Sequence, residues 1–155
     1  MIKFIFFLSL TLTPLFAQDI LPIRDRAYLI DQIQKERIKK LLPKLMEEQD
    51  IDVWVMITRE YNEDPVIKTM LPATWQSARR TTMLVIYNPG AGKPLETMAM
   101  ARDGVGELVK KVWEKEQQPD QWKALAELIA EKNPKKIGVN KCFLVNYVHM
   151  VMIDI

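Results

Sequence analysis

The chain has one cysteine and one histidine among its 155 residues. A single thiol excludes an internal disulfide in any compartment, so stability has to come from packing. The single imidazole, His149, has only Asp154 near it in sequence, and no pattern of metal-ligand spacing surrounds it. Its plainest reading is an ordinary residue on a terminal strand. Cys142 and His149 could act as nucleophile and base, yet both lie in an apolar tail with no third group to orient them. Glycine is scarce, with five in all. Gly90 and Gly92 follow Pro89 in a turn, outside the strand–turn–helix context that a phosphate loop requires. There is no nucleophile elbow, no internal repeat and no low-complexity segment. A net charge of +2 gives no electrostatic case for nucleic acid.

Long apolar runs are also few, and the longest is at the start. Met1-Ile2-Lys3 is a short positive opening, Phe4 to Phe16 carries no charge, and Leu15-Phe16-Ala17 offers a small residue for cleavage. These three parts match a secretory signal peptide over residues 1–17 and predict an exported protein, periplasmic or secreted. The apolar core of 13 residues is short for a bilayer span and contains Pro14. An uncleaved anchor is the alternative; after cleavage no association with a membrane is expected. Removing residues 1–17 leaves 138 residues and, because Lys3 leaves, a net charge of +1. That length is one domain with room for a core.

The rest alternates. Asp25 to Gln49 reads as a helix, with Ile30, Ile33, Ile38, Leu41, Leu42 and Leu45 at helical spacing. Pro43 should kink or divide it. Val53–Thr58 reads as a strand, Pro65–Leu71 as a short helix and Thr82–Tyr87 as a second strand. Asn88 to Gly92 is a turn, and Leu95–Ala101 a third strand closing a hairpin. Val105–Val112 fits a strand or a short helix. Asp120–Lys132 reads as a helix capped by Asp120, with Trp122, Leu125, Ala126 and Ile129 on one face, and Lys136–Val139 as a further strand. Strands alternating with helices predict an α/β domain with a mixed sheet flanked by helices.

The densest information lies between Ile51 and Leu71, IDVWVMITREYNEDPVIKTML. The run Val53-Trp54-Val55-Met56-Ile57 has no alternation, as expected of a strand covered on both faces. It stops at Arg59-Glu60-Tyr61-Asn62-Glu63-Asp64-Pro65, so this polar cluster falls at the carboxyl end of the strand, where open α/β sheets bind ligands. The competing reading is a solvated loop in which Asp64 and Pro65 start the next helix. Glu47-Glu48 and Glu60, Glu63 and Asp64 are paired carboxylates, but acids beside Lys and Arg are commonly just solvated.

IDVWVMITREYNEDPVIKTMLPA resembles the start of the N-terminal, creatinase-like domain of the pita-bread metallopeptidases, the group of aminopeptidase P and prolidase. It is especially similar to an exported bacterial branch with the wording REYNEDP. ERIKKLLPKLMEEQDID and DQWKALAELIAEKNPKKIGVN fit the same domain, and the resemblance spans Leu21 to Lys141. It implies a ribonuclease-H-like sheet flanked by helices over residues 18–141. It also implies hydrolysis of Xaa-Pro bonds by two divalent metals, about 3.5–4 Å apart, held by carboxylates and a histidine. In the family those ligands belong to a second, C-terminal domain, so no cofactor and no catalytic residue is expected in this chain. The expected role is that of a non-catalytic N-terminal domain supporting oligomerisation and substrate access. The expected partners are a homo-oligomer or a separate catalytic domain, with peptide substrate reached only through them. The alternative is a free-standing exported binding or interaction module.

Arg59, Tyr61, Asn62, Glu63 and Asp64 are the first candidates for a binding or interface site, with Trp75, Arg79 and Arg80 behind them. Arg59 could pair with a carboxylate of a peptide or neighbouring subunit. Tyr61 and Trp75 offer apolar area with a polar tip. Arg79-Arg80 also fits a solvated strand entry. Residues 142–155 depart from the family pattern by being almost wholly apolar. A final strand or helix packed on the sheet and a non-native ending after truncation near Lys141 both fit, and truncation is the favoured expectation.

Overall fold

The computed structural model describes residues 20–90, 92–144 and 147–154, with side chains described to Asn140. The expected signal peptide lies outside the described residues, as do the side chains of Cys142 and His149.

The fold is α/β with a mixed sheet. Helix α1 (Ile23–Glu36) passes through a π-helical turn (Arg37–Leu41) into α2 (Leu42–Glu48). Strand β1 (Val53–Arg59) follows, then the single turn α3 (Pro65–Lys68), β2 (Thr81–Tyr87), β3 (Glu96–Met100) and the two-residue β4 (Lys110–Lys111). Helix α4 (Gln121–Lys132) leads to β5 (Lys136–Leu144) and β6 (Tyr147–Asp154). The sheet order is β4-β3-β2-β1-β5-β6. β1 is antiparallel to β2 and parallel to β5; β3 is antiparallel to β2 and parallel to β4. β1 is thus a central strand, as its unbroken apolar run requires.

Both faces of β1 are covered. Trp54 and Met56 pack with Ile38, Leu42 and Met46 of the helical arm and Ile67 of α3. Val53 and Val55 pack on the other face with Met83, Trp113 and Leu125. The period-2 geometry of a strand therefore distributes one continuous run between two cores. The expected hairpin of the second and third strands is present, with Tyr87 opposite Glu96. Asp120 caps α4 through bonds from the Trp122 and Lys123 N–H groups to its Oδ1.

Pro43 divides the first helix by means of the π turn. Its ring nitrogen cannot donate, and a wider turn just before it absorbs the disrupted ladder. The Leu42 N–H reaches back five residues to Arg37 O. The burial in this arm differs from the sequence expectation. Gln34, Ile38, Leu42 and Met46 face the sheet, whereas Ile30, Ile33, Leu41 and Leu45 are exposed. Periodicity locates an apolar stripe, but not which part of a wide stripe meets the sheet. In α4 the buried or half-buried apolar residues are Ala124, Leu125, Leu128 and Ile129, and Trp122 and Ala126 are exposed. The segment expected as Pro65–Leu71 is helical only to Lys68, and Val105–Val112 is mostly irregular apart from β4. Val105 and Val109 are nevertheless buried, which accounts for the apolar pattern without a regular element.

The apolar ending continues the sheet. β5 extends to Leu144, and β6 pairs antiparallel with it from Lys136 opposite Asp154 to Leu144 opposite Tyr147. Among the described residues no helix is long and apolar enough to cross a membrane.

Candidate functional site

The carboxyl ends of β1 and β3 and the amino end of β2 lie together, since Arg59 is opposite Thr81 and Met83 opposite Met100. Gln121 at the start of α4 ties the same end, its Nε2 donating to Thr81 O at 3.1 Å and Met100 O at 2.8 Å. The segment after β1 is built on this platform.

Arg59 and Asn62 close a tight turn with reciprocal backbone bonds of 3.3 and 3.0 Å. The third position of this turn is left-handed, a conformation that favours glycine. Tyr61 occupies it with φ 64°. Its side chain is 98% exposed. A bulky aromatic in this region is uncommon, and local backbone strain of that kind clusters at functional sites.

The turn is stapled to the entry of β2. The Glu60 N–H donates to Arg80 O at 2.7 Å, and the Arg80 N–H points at Glu60 Oε2 at 3.4 Å. Arg80 is itself left-handed, with φ 53°. Glu63 Oε1 accepts the Ala78 N–H at 2.7 Å, and its other oxygen pairs with Lys68. The bond from Lys68 holds the Glu63 carboxyl below its ordinary value of 4.5; the Ala78 N–H adds to this, and burial opposes it. A carboxylate whose folded-state value is depressed stabilises the fold above the unfolded-chain value, and the contribution fades as pH falls through the folded-state value. Glu63→Gln should therefore flatten the loss of stability on the acid side of pH 4.5. Urea midpoints measured from neutral pH downward check this; identical acid limbs for the two proteins would contradict it.

Asp64 is turned inward. Its Oδ1 accepts the Val66 and Ile67 N–H groups at 2.7 and 3.1 Å, capping α3. Its Oδ2 accepts from Asn140 Nδ2 at 2.9 Å, and Asn140 Oδ1 accepts from Trp54 Nε1 at 2.9 Å. The Asp64 N–H donates to the buried Thr58 Oγ1 at 3.0 Å. Asp64 thus joins β1, β5 and α3; of these ties only the cap on α3 was anticipated by the competing loop reading.

The structure brings the first and second candidates into one region. Residues 60–63 are bonded to 78–80, which places Tyr61, Glu63, Arg79 and Arg80 around a single loop pair. Trp75 and Arg79 line an open cleft of about 520 Å³ with Asp103. Trp75 is half-buried against the core on the helical-arm side, and its Nε1 has no hydrogen-bond partner among the described residues. A neighbouring cleft of about 420 Å³ is lined by Arg80, Arg102, Trp113 and Gln121. Arg59 and Asn62 are exposed. Among the described residues, Arg59, Arg79, Arg80 and Arg102 have no carboxylate within ion-pair distance. Guanidinium groups without a carboxylate partner can pair with carboxylates, and the exposed Tyr61 ring offers apolar area with a polar tip.

Arg102, Asp103 and Asn140 were not singled out by the sequence reading. Arg102-Asp103 lies just beyond β3 as Arg59-Glu60 lies at the end of β1, so the same strand-end argument applies to it. Asn140 had no local signal, because its partners lie 76 and 86 residues away. Among the described residues no three His, Cys, Asp or Glu side chains are grouped closely enough to hold a metal ion. No protein-family model, curated protein or solved structure matches the chain.

Proposed function

We propose that this chain is the non-catalytic, creatinase-like N-terminal domain of an exported Xaa-Pro metallopeptidase, supporting oligomer formation and substrate access. The observation that carries the reading is Tyr61: an aromatic held left-handed and 98% exposed on a turn that is bonded at both sides. Such a side chain does nothing for the core of its own domain. It supplies rigid apolar area with a polar tip, as interfaces favour. The REYNEDP wording that suggests the family is the same segment, and the mixed α/β sheet is compatible with the class. In this reading Arg59, Arg79 and Arg80 meet carboxylates of a peptide or of the adjoining domain, while Asp64 keeps the loop in place.

The reaction would depend on two divalent metals supplied by a catalytic domain, and this chain would contribute positioning. The purified chain is expected to show no turnover of an Xaa-proline peptide and no stoichiometric binding of manganese or zinc. Titration calorimetry beside a peptidase assay tests this. Turnover with metal bound at one or two equivalents would overturn the reading. The genomic sequence immediately downstream separates it from a free-standing binding module: an open frame encoding convergent Asp, His and Glu ligands supports the peptidase, and an unrelated frame counts against it.

A further inference from the structure

We infer that the outer face of the α1–α2 arm is a two-fold interface between two copies of this chain. Among the described residues eleven large apolar side chains are exposed, and nine of them fall between Ile20 and Leu45. Only Tyr61 and Trp122 lie elsewhere. In α1 the one buried residue is Gln34, so the helix stands off the sheet for more than two turns before it is packed. A helical stretch of that length is marginal in water without tertiary cover. An apolar stripe on it marks an interaction site.

The stripe has an internal symmetry. Leu29, Ile33, Leu41 and Leu45 stand at steps of four, with Arg37 in the middle position. Steps of four normally drift around an α-helix. The π turn at Arg37–Leu41 is wider and sets part of that drift back, so the ridge stays close to the helix axis. A two-fold axis at Arg37 places Leu29 of one copy opposite Leu45 of the other, and Ile33 opposite Leu41. Arg37 does not obstruct this, because its Nη1 is drawn aside to Thr69 O at 2.6 Å. The same antiparallel register sets Arg26 opposite Glu48, which among the described residues is paired only with Lys44, in an exposed pair at 3.7 Å. The register thus sets apolar side chains opposite apolar ones and Arg26 opposite Glu48, a pairing repeated on both sides of the axis as in an isologous contact.

The area fits as well. Ile23 and Ile30 widen the ridge, and the six side chains are 39–77% exposed. At on the order of 80 Å² each they supply about 500 Å² of apolar surface. With a polar rim that approaches the ~800 Å² per partner of a standard interface. The surface is separate from the Tyr61 loop: a monomer would defeat this inference together with the oligomer-forming part of the proposed function, and would leave its substrate-access part standing.

Sedimentation velocity on the full chain, as recovered from expressing cells, is the test. The wild type is expected to show a reversible monomer–dimer equilibrium. Ile33→Lys with Leu41→Lys should weaken it by ~100-fold or more, leaving thermal unfolding nearly unchanged, since exposed substitutions usually cost within about 0.5 kcal/mol. Arg26→Glu should weaken it ~10-fold, and Arg26→Glu with Glu48→Arg should restore it. A wild type that is monomeric throughout, a dimer indifferent to the lysine pair, or a charge swap without rescue would each overturn the inference. So would a monomer that binds neutral phosphatidylcholine vesicles through the same residues, since the stripe would then be lipid-facing.

Discussion

Asp64→Ala is expected to destabilise the domain by roughly 2–4 kcal/mol, combining a lost helix cap with a lost charge-assisted bond. The carboxylate accepts two α3 N–H groups on one oxygen and the Asn140 amide on the other. Alanine leaves all three donors without that acceptor, and the Asn140 amide in a half-buried position where water replaces it poorly. Asn140 also receives the Trp54 indole N–H, so the disturbance reaches the central strand. Asp64→Asn retains a capping oxygen and should cost about half as much. Urea unfolding of the three proteins measures this. A change under about 0.5 kcal/mol for the alanine variant, the range of ordinary surface substitutions, would mean that the Trp54–Asn140–Asp64 chain is not a structural tie.

Tyr61→Gly should separate stability from function in the opposite direction. Glycine adopts the left-handed region without the cost of roughly 1–2 kcal/mol that other residues meet there. The tyrosine has almost no contact with its own domain to lose, being 98% exposed. The variant should unfold at an equal or higher urea concentration, by up to about 1 kcal/mol. In a full-length relative carrying the REYNEDP wording, the corresponding change should lower dimerisation or Xaa-Pro turnover by ~10-fold or more, the loss expected of an interface aromatic. Stability lost with function intact would make Tyr61 a structural residue. No change in either measurement would make the turn a solvated loop.

These two residues show how far the sequence could be read. The buried strand at Val53–Ile57, the hairpin after it and the cap at Asp120 were legible because each depends on local pattern. The polar cluster was correctly located at the end of β1 for the same reason. Its internal division of labour was not legible. Asp64 and Tyr61 are three residues apart, yet one turns inward to Asn140 and the other outward, and that is settled by backbone conformation and by a partner 76 residues distant. The burial of Gln34 in place of Ile33 was hidden likewise. Gln34 Nε2 donates to Met70 O at 2.7 Å, so a long-range bond lets a polar residue occupy the core side while its apolar neighbour stays out. Arg80 read as an ordinary strand entry, and its left-handed backbone beside Glu60 appears only once β1 and β2 are paired.

The central claim is that the Arg59–Asp64 turn touches a peptidase catalytic domain, and its most direct test is a contact measurement at Tyr61. Tyr61→p-benzoylphenylalanine places a photoreactive aromatic at the same exposed position of the full chain. Irradiated cells of the native host, expressing that variant, should yield an adduct with a polypeptide that carries convergent Asp, His and Glu metal ligands and cleaves Xaa-proline peptides. Absence of any adduct, or an adduct only with proteins lacking those ligands, would contradict the account.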